Sequence, residues 1–346
     1  SQEAVARGLR WLAEHQAPNG GWSLSDFHQH FRPGLKGDRY LTDPRATGRG
    51  MRGQTGDTAG AAFGLLPFLA AGITHKTPEK KPGSEYQQTV KRGLDYLMKK
   101  QGRDGDFGGD MYSHGLATIA MCEAYGLSSD PKLKLSAQKA INYIVAAQHP
   151  DGGGWRYRPR EAGDTSVTGW QLMALKSGQL AGLNVPSVTL KRAEKFLDSV
   201  ESSDKGGYGY VSTSESPTMS AVGLLCRQYL GTPRRNPGLR NGCNKLKRYP
   251  PGSVGTLYYD YYATQVMYHM GGDYWDWWNN GNEKRKGMRD ILVNSQDRDG
   301  SWDPSRDGHG RVGGRVMITS LSLLTLEIYY RYHPLYERPA PPKEKE

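Results

Sequence analysis

The chain has 346 residues, of which 36% are hydrophobic, with a formal net charge of +11 and a pI near 9.4. The length allows one large core or two ordinary ones, and the positive field favours an anionic partner by sign alone: a phosphorylated lipid, an acidic polysaccharide, nucleic acid or an anionic membrane surface. Basic residues form no run of five and no recognition module is legible, which argues against nucleic acid, and no stretch approaches the roughly 18 apolar residues of a membrane-spanning helix.

Residues 4–12 carry apolar side chains at i, i+3, i+4 and i+7 with basic side chains opposite, which predicts an amphipathic helix. Gln16 to Trp22 then reads QAPNGGW. Residues 23–56 break the pattern. Residues 58–71 form a second kind of helix, rich in Gly and Ala and nearly free of charge, of the sort that is buried on most sides. The same succession returns down the chain. The amphipathic stretch 90–98 leads through QGRDGDF (Gln101 to Phe107) to a small-residue helix at 115–125, and 137–145 leads through QHPDGGGW (Gln148 to Trp155) to 167–180. Next, 190–197 leads through ESSDKGGY (Glu201 to Tyr208) to 219–229. A degenerate unit near Lys247-Arg248-Tyr249 precedes the helix 261–270, and 287–293 leads through QDRDGSW (Gln296 to Trp302) to 316–329. Gly126, Gly182, Gly231 and Gly271 are the expected left-handed residues that stop several of the small-residue helices.

The recurrences share Gln-x-x-x-Gly-x-aromatic, at intervals of about 50 residues or twice that. Wet and buried helices in alternation, joined by glycine turns, are what two concentric rings require. The sequence therefore predicts an all-α fold, an (α/α)6 toroid of about twelve helices with the amphipathic set outside and the small-residue set inside. One domain covers 1–334 with an insertion at about 23–56, and 335–346 is a charged, Pro-rich tail. A superhelical solenoid uses the same hairpins; six hairpins favour closure. Within each motif the glycines allow a tight turn, the aromatic packs over the adjoining helix end, and the glutamine bonds the orphan backbone groups of that end. This role stabilises the fold and involves no catalysis.

The motif between an outer and an inner helix resembles the QW repeat of squalene-hopene and oxidosqualene cyclases, which is similar to the repeat of protein prenyltransferase β subunits and of bacterial proteins known only by this repeat. The resemblance covers the chain from about residue 4 to 334 and implies the toroid. It implies little about activity, because one toroid serves unrelated tasks. Class II cyclases carry a proton-donating Asp-x-Asp-Asp-Thr before an inner helix. Asp164 and Thr165 match its last two residues, Glu161 replaces the first Asp, and Gly163 falls where the general acid would be. Protonating an alkene needs a strong, supported acid, so this departure counts against simple cyclase activity. The zinc-binding Asp, Cys and His of the transferases are not matched: no Cys heads an inner helix, and Cys122 lies two turns in. The thioester Cys-Gly-Glu-Gln of complement-type toroids is missing as well.

In a double ring the leading ends of the inner helices surround a central cavity and present unpaired amides and partial positive charge. The candidates for chemistry are therefore Asp164, His114 and Tyr112, with Asp57, Thr165, Trp170, Tyr259, Tyr261, His309 and Arg315 as ligand-binding candidates. For Asp164 and Asp57 the competing reading is a helix N-cap, with Thr165 and Thr58 helping; for the tyrosines it is packing. The insertion holds Asp26, His28, His30 and a Gly- and Arg-rich stretch ending at Gly53; a histidine pair with one acid is a weak metal signal, and no metal is assigned. Asp297-Arg298-Asp299-Gly300 resembles the start of a calcium loop without its later ligands and reads as a motif turn. Cys122, Cys226 and Cys243 are too few and too scattered for a disulfide framework or a zinc site.

Three functions fit these residues: a terpene cyclase-like or prenyltransferase-like toroid that binds or processes an isoprenoid or other anionic small molecule, an enzyme acting on an acidic glycan, and a non-catalytic recognition scaffold. No cofactor or oligomeric state is assigned. The start at Ser1 without an initiator Met and the linker-like tail read as a piece of a longer protein, in which other segments would provide membrane association or a place in the cell envelope.

Overall fold

A computed structural model of the chain describes residues 1–25, 27, 50 and 53–328. Asp26, His28, His30, Arg49 and Arg52 of the insertion and the tail 335–346 lie outside the described residues. Among the described residues there are thirteen α-helices: α1 (Gln2–Glu14), α2 (Gly53–Ala70), α3 (Gln87–Lys100), α4 (Met111–Ser128), α5 (Pro131–Ala147), α6 (Thr165–Leu180), α7 (Ser187–Val200), α8 (Pro217–Tyr229), α9 (Pro237–Leu246), α10 (Leu257–Met270), α11 (Gly272–Asn279), α12 (Met288–Ser295) and α13 (Gly310–Leu326). The only strands among them are a two-stranded antiparallel hairpin, β1 (Gly281–Asn282) and β2 (Arg285–Lys286).

The ring closes. Helices α2, α4, α6, α8, α10 and α13 pack each against the next, and α13 returns to α2. These are the small-residue helices, buried nearly all round: from Met111 to Met121 of α4 every residue is buried. Helices α1, α3, α5, α7, α9 and α12 form the outer layer, each with one buried stripe, as in Val90, Gly93, Leu94 and Leu97 of α3. The extra helix α11 stands in for the missing motif of the degenerate unit: Trp278 is buried and donates from Nε1 to Thr264 Oγ1 of α10 at 2.8 Å.

The motifs hold the rings together in a way that corrects the expectation for the glutamine. Gln148 Nε2 donates to Gly153 O of its own turn at 2.7 Å and to Thr189 O at the start of the next outer helix at 2.9 Å. Gln16 and Gln101 do the same to Thr89 O and Ser136 O. Gln296 reaches Ala4 O of α1 at 2.8 Å, tying the last hairpin to the first. The orphan carbonyls of the preceding helix are met by the aromatic instead: Trp22, Trp155 and Trp302 donate from Nε1 to Leu12 O, Ile144 O and Leu292 O. The indole of Trp22 lies flat on α2, where a Cβ on Gly64 would come 2.2 Å from it. Gly153 combines a left-handed φ of 76° with a close approach, since its Cβ would sit 2.0 Å from Arg192 O.

Several bounds differ from the expected ones. The insertion begins after Phe27, because Leu24 and Phe27 are buried in the core and Phe27 packs on Trp11 and His15. Helix α2 starts at Gly53, so Asp57 and Thr58 lie inside it and are not caps. Gly126 lies within α4, and Ser129, at φ 52°, takes the left-handed position; Gly182, Gly231 and Gly271 do have positive φ. The three cysteines are buried and unlinked, and burial pushes the Cys226 thiol up to about 12.

Candidate functional site

Inner helices begin earlier than the hydrophobic pattern suggests because polar caps precede them. Asp110 accepts from Ser113 N, Asp164 from Val167 N, Ser216 from Met219 N and Thr256 from Tyr258 N. The leading turns of these helices and of α13 bring Tyr112 (α4), Ser166 (α6), Thr218 and Met219 (α8), Tyr258 (α10) and Val312 (α13), with Met317 further along α13, around one cavity of about 640 Å³ at the ring mouth. Asp110, His309 and Gly50 complete its rim, together with Tyr157 and Tyr210. Those last two tyrosines stand on the loops that follow the third and fourth motifs, and both are partly exposed, at 42% and 37%.

The cavity is blind. Below Tyr112 and Tyr258 the ring axis is filled by Trp170, fully buried, which stacks on Tyr261 at 5.9 Å and meets Tyr262, Tyr112 and Phe63 edge-on at 5.6, 5.6 and 6.4 Å. Burial holds the hydroxyls of Tyr112, Tyr258 and Tyr262 well above their ordinary pKa, so all three keep their protons.

Of the candidates read from the sequence, Tyr112 and His309 line this cavity, and Trp170 and Tyr261 form the plug under it. His309 Nδ1 lies 2.7 Å from Thr256 Oγ1. Asp164 and Thr165 are buried behind the wall. Asp164 Oδ1 accepts from Val167 N at 2.9 Å and Ser166 Oγ at 2.7 Å, and its Oδ2 faces Arg156 at 3.9 Å. Burial raises its pKa, although these bonds pull the other way. Thr165 fixes the loop bearing Tyr210 by donating to Gly209 O and Tyr210 O at 2.6 and 3.0 Å.

The other four candidates serve elsewhere. His114 is fully buried on the outer side of α4, 3.1 Å from Ala140 O of α5, and its Nδ1 takes the N–H of the motif residue Phe107, the place that Thr168 and Thr319 fill for Trp155 and Trp302. Tyr259 points to the outer layer, donating to Tyr249 O at 2.7 Å and packing edge-on against Trp278. Arg315 is 1% exposed and held by Asp297 and Ser301, both at 2.7 Å, and by Asp303 at 3.6 Å, so the aspartate of the calcium-like turn anchors the helix. Asp57 lies near Tyr96 of α3. Reading helix heads missed Tyr157 and Tyr210. Each stands two residues after a motif aromatic, Trp155 and Tyr208, so the motif loops as well as the helix heads held site candidates.

Among the described residues no group of three His, Cys, Asp or Glu is placed to hold a metal, and no helix is long and apolar enough to cross a membrane.

No protein-family model matches the chain. In sequence it is similar to the squalene–hopene cyclase of Zymomonas mobilis, 27% identical over 191 residues, half of this chain and 26% of that enzyme. A second relative is the enfumafungin synthase of Hormonema carpetanum, 24% identical over 162 residues, 44% of this chain and 11% of the synthase. The chain thus matches no more than about a quarter of either relative's length. In structure it is similar to the α-1,6-mannanase GH76A of Salegentibacter sp. HEL1_6 in complex with α-1,6-mannotriose, at TM-score 0.61 and 11% identity, covering 94% of this chain and 97% of the other. The type II terpene cyclase MstE of Scytonema gives TM-score 0.59 at 13% identity, covering 95% and 97%. At these identities the structural likeness carries the fold alone. The chain is an all-α (α/α)6 toroid.

Proposed function

We propose that the chain is a recognition toroid that binds the end of an uncharged glycan in the mouth of the ring. The observation that carries this reading is the ring of tyrosines, Tyr112, Tyr157, Tyr210 and Tyr258, around a half-open blind cavity. Tyrosine offers an apolar face for a pyranose and a polar tip for its hydroxyls. Ser166, Thr218 and the Asp110 carboxylate add hydrogen-bonding groups around the rim. The described lining holds Asp110 and His309 but neither Lys nor Arg, and Arg315 is locked in its own ion pairs, so an uncharged sugar fits better than an acidic one. Catalysis is not supported by the carboxylates near the cavity: Asp110 and Asp164 are both engaged as helix caps, and Gly163 stands where a class II cyclase would carry its acid.

A second reading is favoured by the apolar part of the wall, Met219, Val312 and Met317, and by the sequence likeness to a squalene–hopene cyclase: an isoprenoid would lie against it. Thermal shift and titration calorimetry with α-1,6-mannotriose and with geranylgeraniol separate the two, because only a ligand that binds the folded chain raises its melting temperature. Binding of the sugar, weakened at least tenfold in Tyr157→Ala and Tyr210→Ala, is the expected result. Response to geranylgeraniol alone transfers the site to isoprenoids, and silence towards a panel of neutral oligosaccharides refutes the glycan reading.

A further inference from the structure

The degenerate fifth unit leaves a second cavity, which shares no lining residue with the mouth. In the five motif turns a Cβ on Gly20, Gly105, Gly153, Gly206 or Gly300 would come 2.0–2.5 Å from a carbonyl oxygen of the next outer helix, so turn and helix are in contact. The fifth unit has no such turn. Between its loop, α12 and the segment 303–307 lies a cavity of about 170 Å³, walled by Leu257, Met288, Ile291, Leu292, Trp302 and Ile318. Asp260 of α10 lines it too and is only 4% exposed. Its Oδ1 accepts from Gly252 N at 3.0 Å, a place that Thr168, Ser220 and Thr319 fill in other units by accepting from the motif residues Trp155, Tyr208 and Trp302 at 3.0, 3.0 and 3.1 Å. A neutral hydroxyl meets that need in those units. The carboxyl at 260 is therefore more than the loop requires, and a buried charge is costly unless something pairs with it. Among the described residues its Oδ2 closes no hydrogen bond.

We propose that this cavity binds a small primary amine, its ammonium group on Asp260 Oδ2 and its alkyl stem against the apolar wall. Charge selects the cation: Asp260, Asp303 and Asp307 line the cavity against Arg306 alone, which is exposed. The other two carboxylates are already engaged, Asp307 by Leu257 N and His309 N at 2.5 and 2.7 Å, and Asp303 by Ser305 N and Oγ at 2.9 and 2.8 Å. That leaves Asp260 to take the ligand's protons, and the wall to select an alkyl stem over a bare inorganic ion. Burial, with help from Asp307, raises the Asp260 carboxyl to about 7. Burial also raises Asp307, which adds to the same trend, and keeps Tyr259 beside Asp260 protonated; α12 and α13 contribute no titratable group to the lining. An ammonium binds the ionised carboxyl, so affinity is full above about pH 7 and falls about tenfold for each pH unit below it. The site does not depend on what the mouth binds.

The test compares n-butylammonium chloride with n-butanol and with potassium chloride on the full chain carrying ¹³C-methyl methionine. The Met288 signal, identified as the one lost in Met288→Leu, reports on this cavity, and the Met219 signal reports on the mouth. At pH 8 the amine should shift the Met288 signal saturably, leave Met219 unmoved and raise the melting temperature by about 2 °C, whereas butanol and potassium chloride should do none of this. At pH 5 the amine should bind about a hundredfold more weakly. Asp260→Asn, which keeps an acceptor for Gly252 N, and Asp260→Thr, the residue type of other units, should both lose the response. An equal response to butanol or to potassium chloride overturns the inference, as does an affinity unchanged at pH 5. So do Asp260 variants that respond like the parent, a shift confined to Met219, or silence of the parent at pH 8.

Discussion

Replacing Gln296 by alanine tests whether the ring is closed by its last motif. Gln296 Nε2 donates to Ala4 O and Gly300 O, both at 2.8 Å, and its Oε1 accepts from Arg7. Three hydrogen bonds disappear, one of them charge-assisted, and at about 1 kcal/mol for each neutral bond and somewhat more for the charged one the loss is about 2–4 kcal/mol. For a chain this long each kcal/mol lowers the melting temperature by about 2 °C, which gives a fall of roughly 4–8 °C. Gln148→Ala removes the equivalent pair of donations to Gly153 O and Thr189 O and should destabilise similarly. The two variants differ in where the structure loosens. Gln296→Ala should speed amide exchange in α1, which then rests on packing such as Leu323 against Gly8, whereas Gln148→Ala should spare it. Glutamine to glutamate at 296 should be worse than alanine, since a carboxylate would face two carbonyl oxygens. Glu201, the natural glutamate of the series, avoids this by taking donors: Gly206 N, Tyr208 Oη, Lys205 Nζ and Arg227 Nη2. An α1 whose exchange is unchanged in Gln296→Ala, or equally quickened in Gln148→Ala, would falsify the closure argument.

Three further predictions concern the interior. Asp260 is almost fully buried, and burial with some help from the nearby Asp307 carboxylate raises its pKa to about 7 from 3.8. A raised acid favours the fold below its ordinary pKa and loses that contribution as pH climbs through about 7, so Asp260→Asn should match the parent at pH 4 and exceed it at pH 8, by at most about 4 kcal/mol at 1.36 kcal/mol per pH unit; equal melting temperatures at pH 8 would refute the shift. Gly64→Ala, which by propensity alone should strengthen α2 by about 1 kcal/mol, should instead destabilise by about 1–3 kcal/mol, because its Cβ would lie 2.2 Å from the Trp22 indole; a stabilised variant would mean that Trp22 does not lie on the helix. Asp164→Ala should lose about 1–2 kcal/mol through the α6 cap, and Asp164→Asn much less, since Asn caps almost as well; equal losses in chemical denaturation would show that the charge matters more than the cap.

The architecture was legible because it is written in periodicity and repetition, which survive without knowledge of neighbours. The amphipathic and small-residue stretches became the outer and inner layers, and the motifs became the links between hairpins. What a motif residue touches was less legible, since that is decided by the next hairpin: Gln148 was expected to cap its own helix and instead reaches Thr189, 41 positions on. Chemistry was harder still. A polar residue at the head of an inner helix can turn inward or outward, and the sequence does not state the rotation of the helix about its own axis. Tyr112 and His114, two positions apart, illustrate this: at 100° per residue they point some 200° apart, so Tyr112 faces the cavity while His114 faces α5. The same geometry separates Tyr258, in the lining, from Tyr259, whose ring is buried against Trp278. Tyr157 and Tyr210 follow their motif aromatics by two residues, and the buried aromatic of each pair fixes the loop that holds the tyrosine at the rim. A sequence reading that took its site residues from the motif loops as well as from the helix heads would have found these two tyrosines.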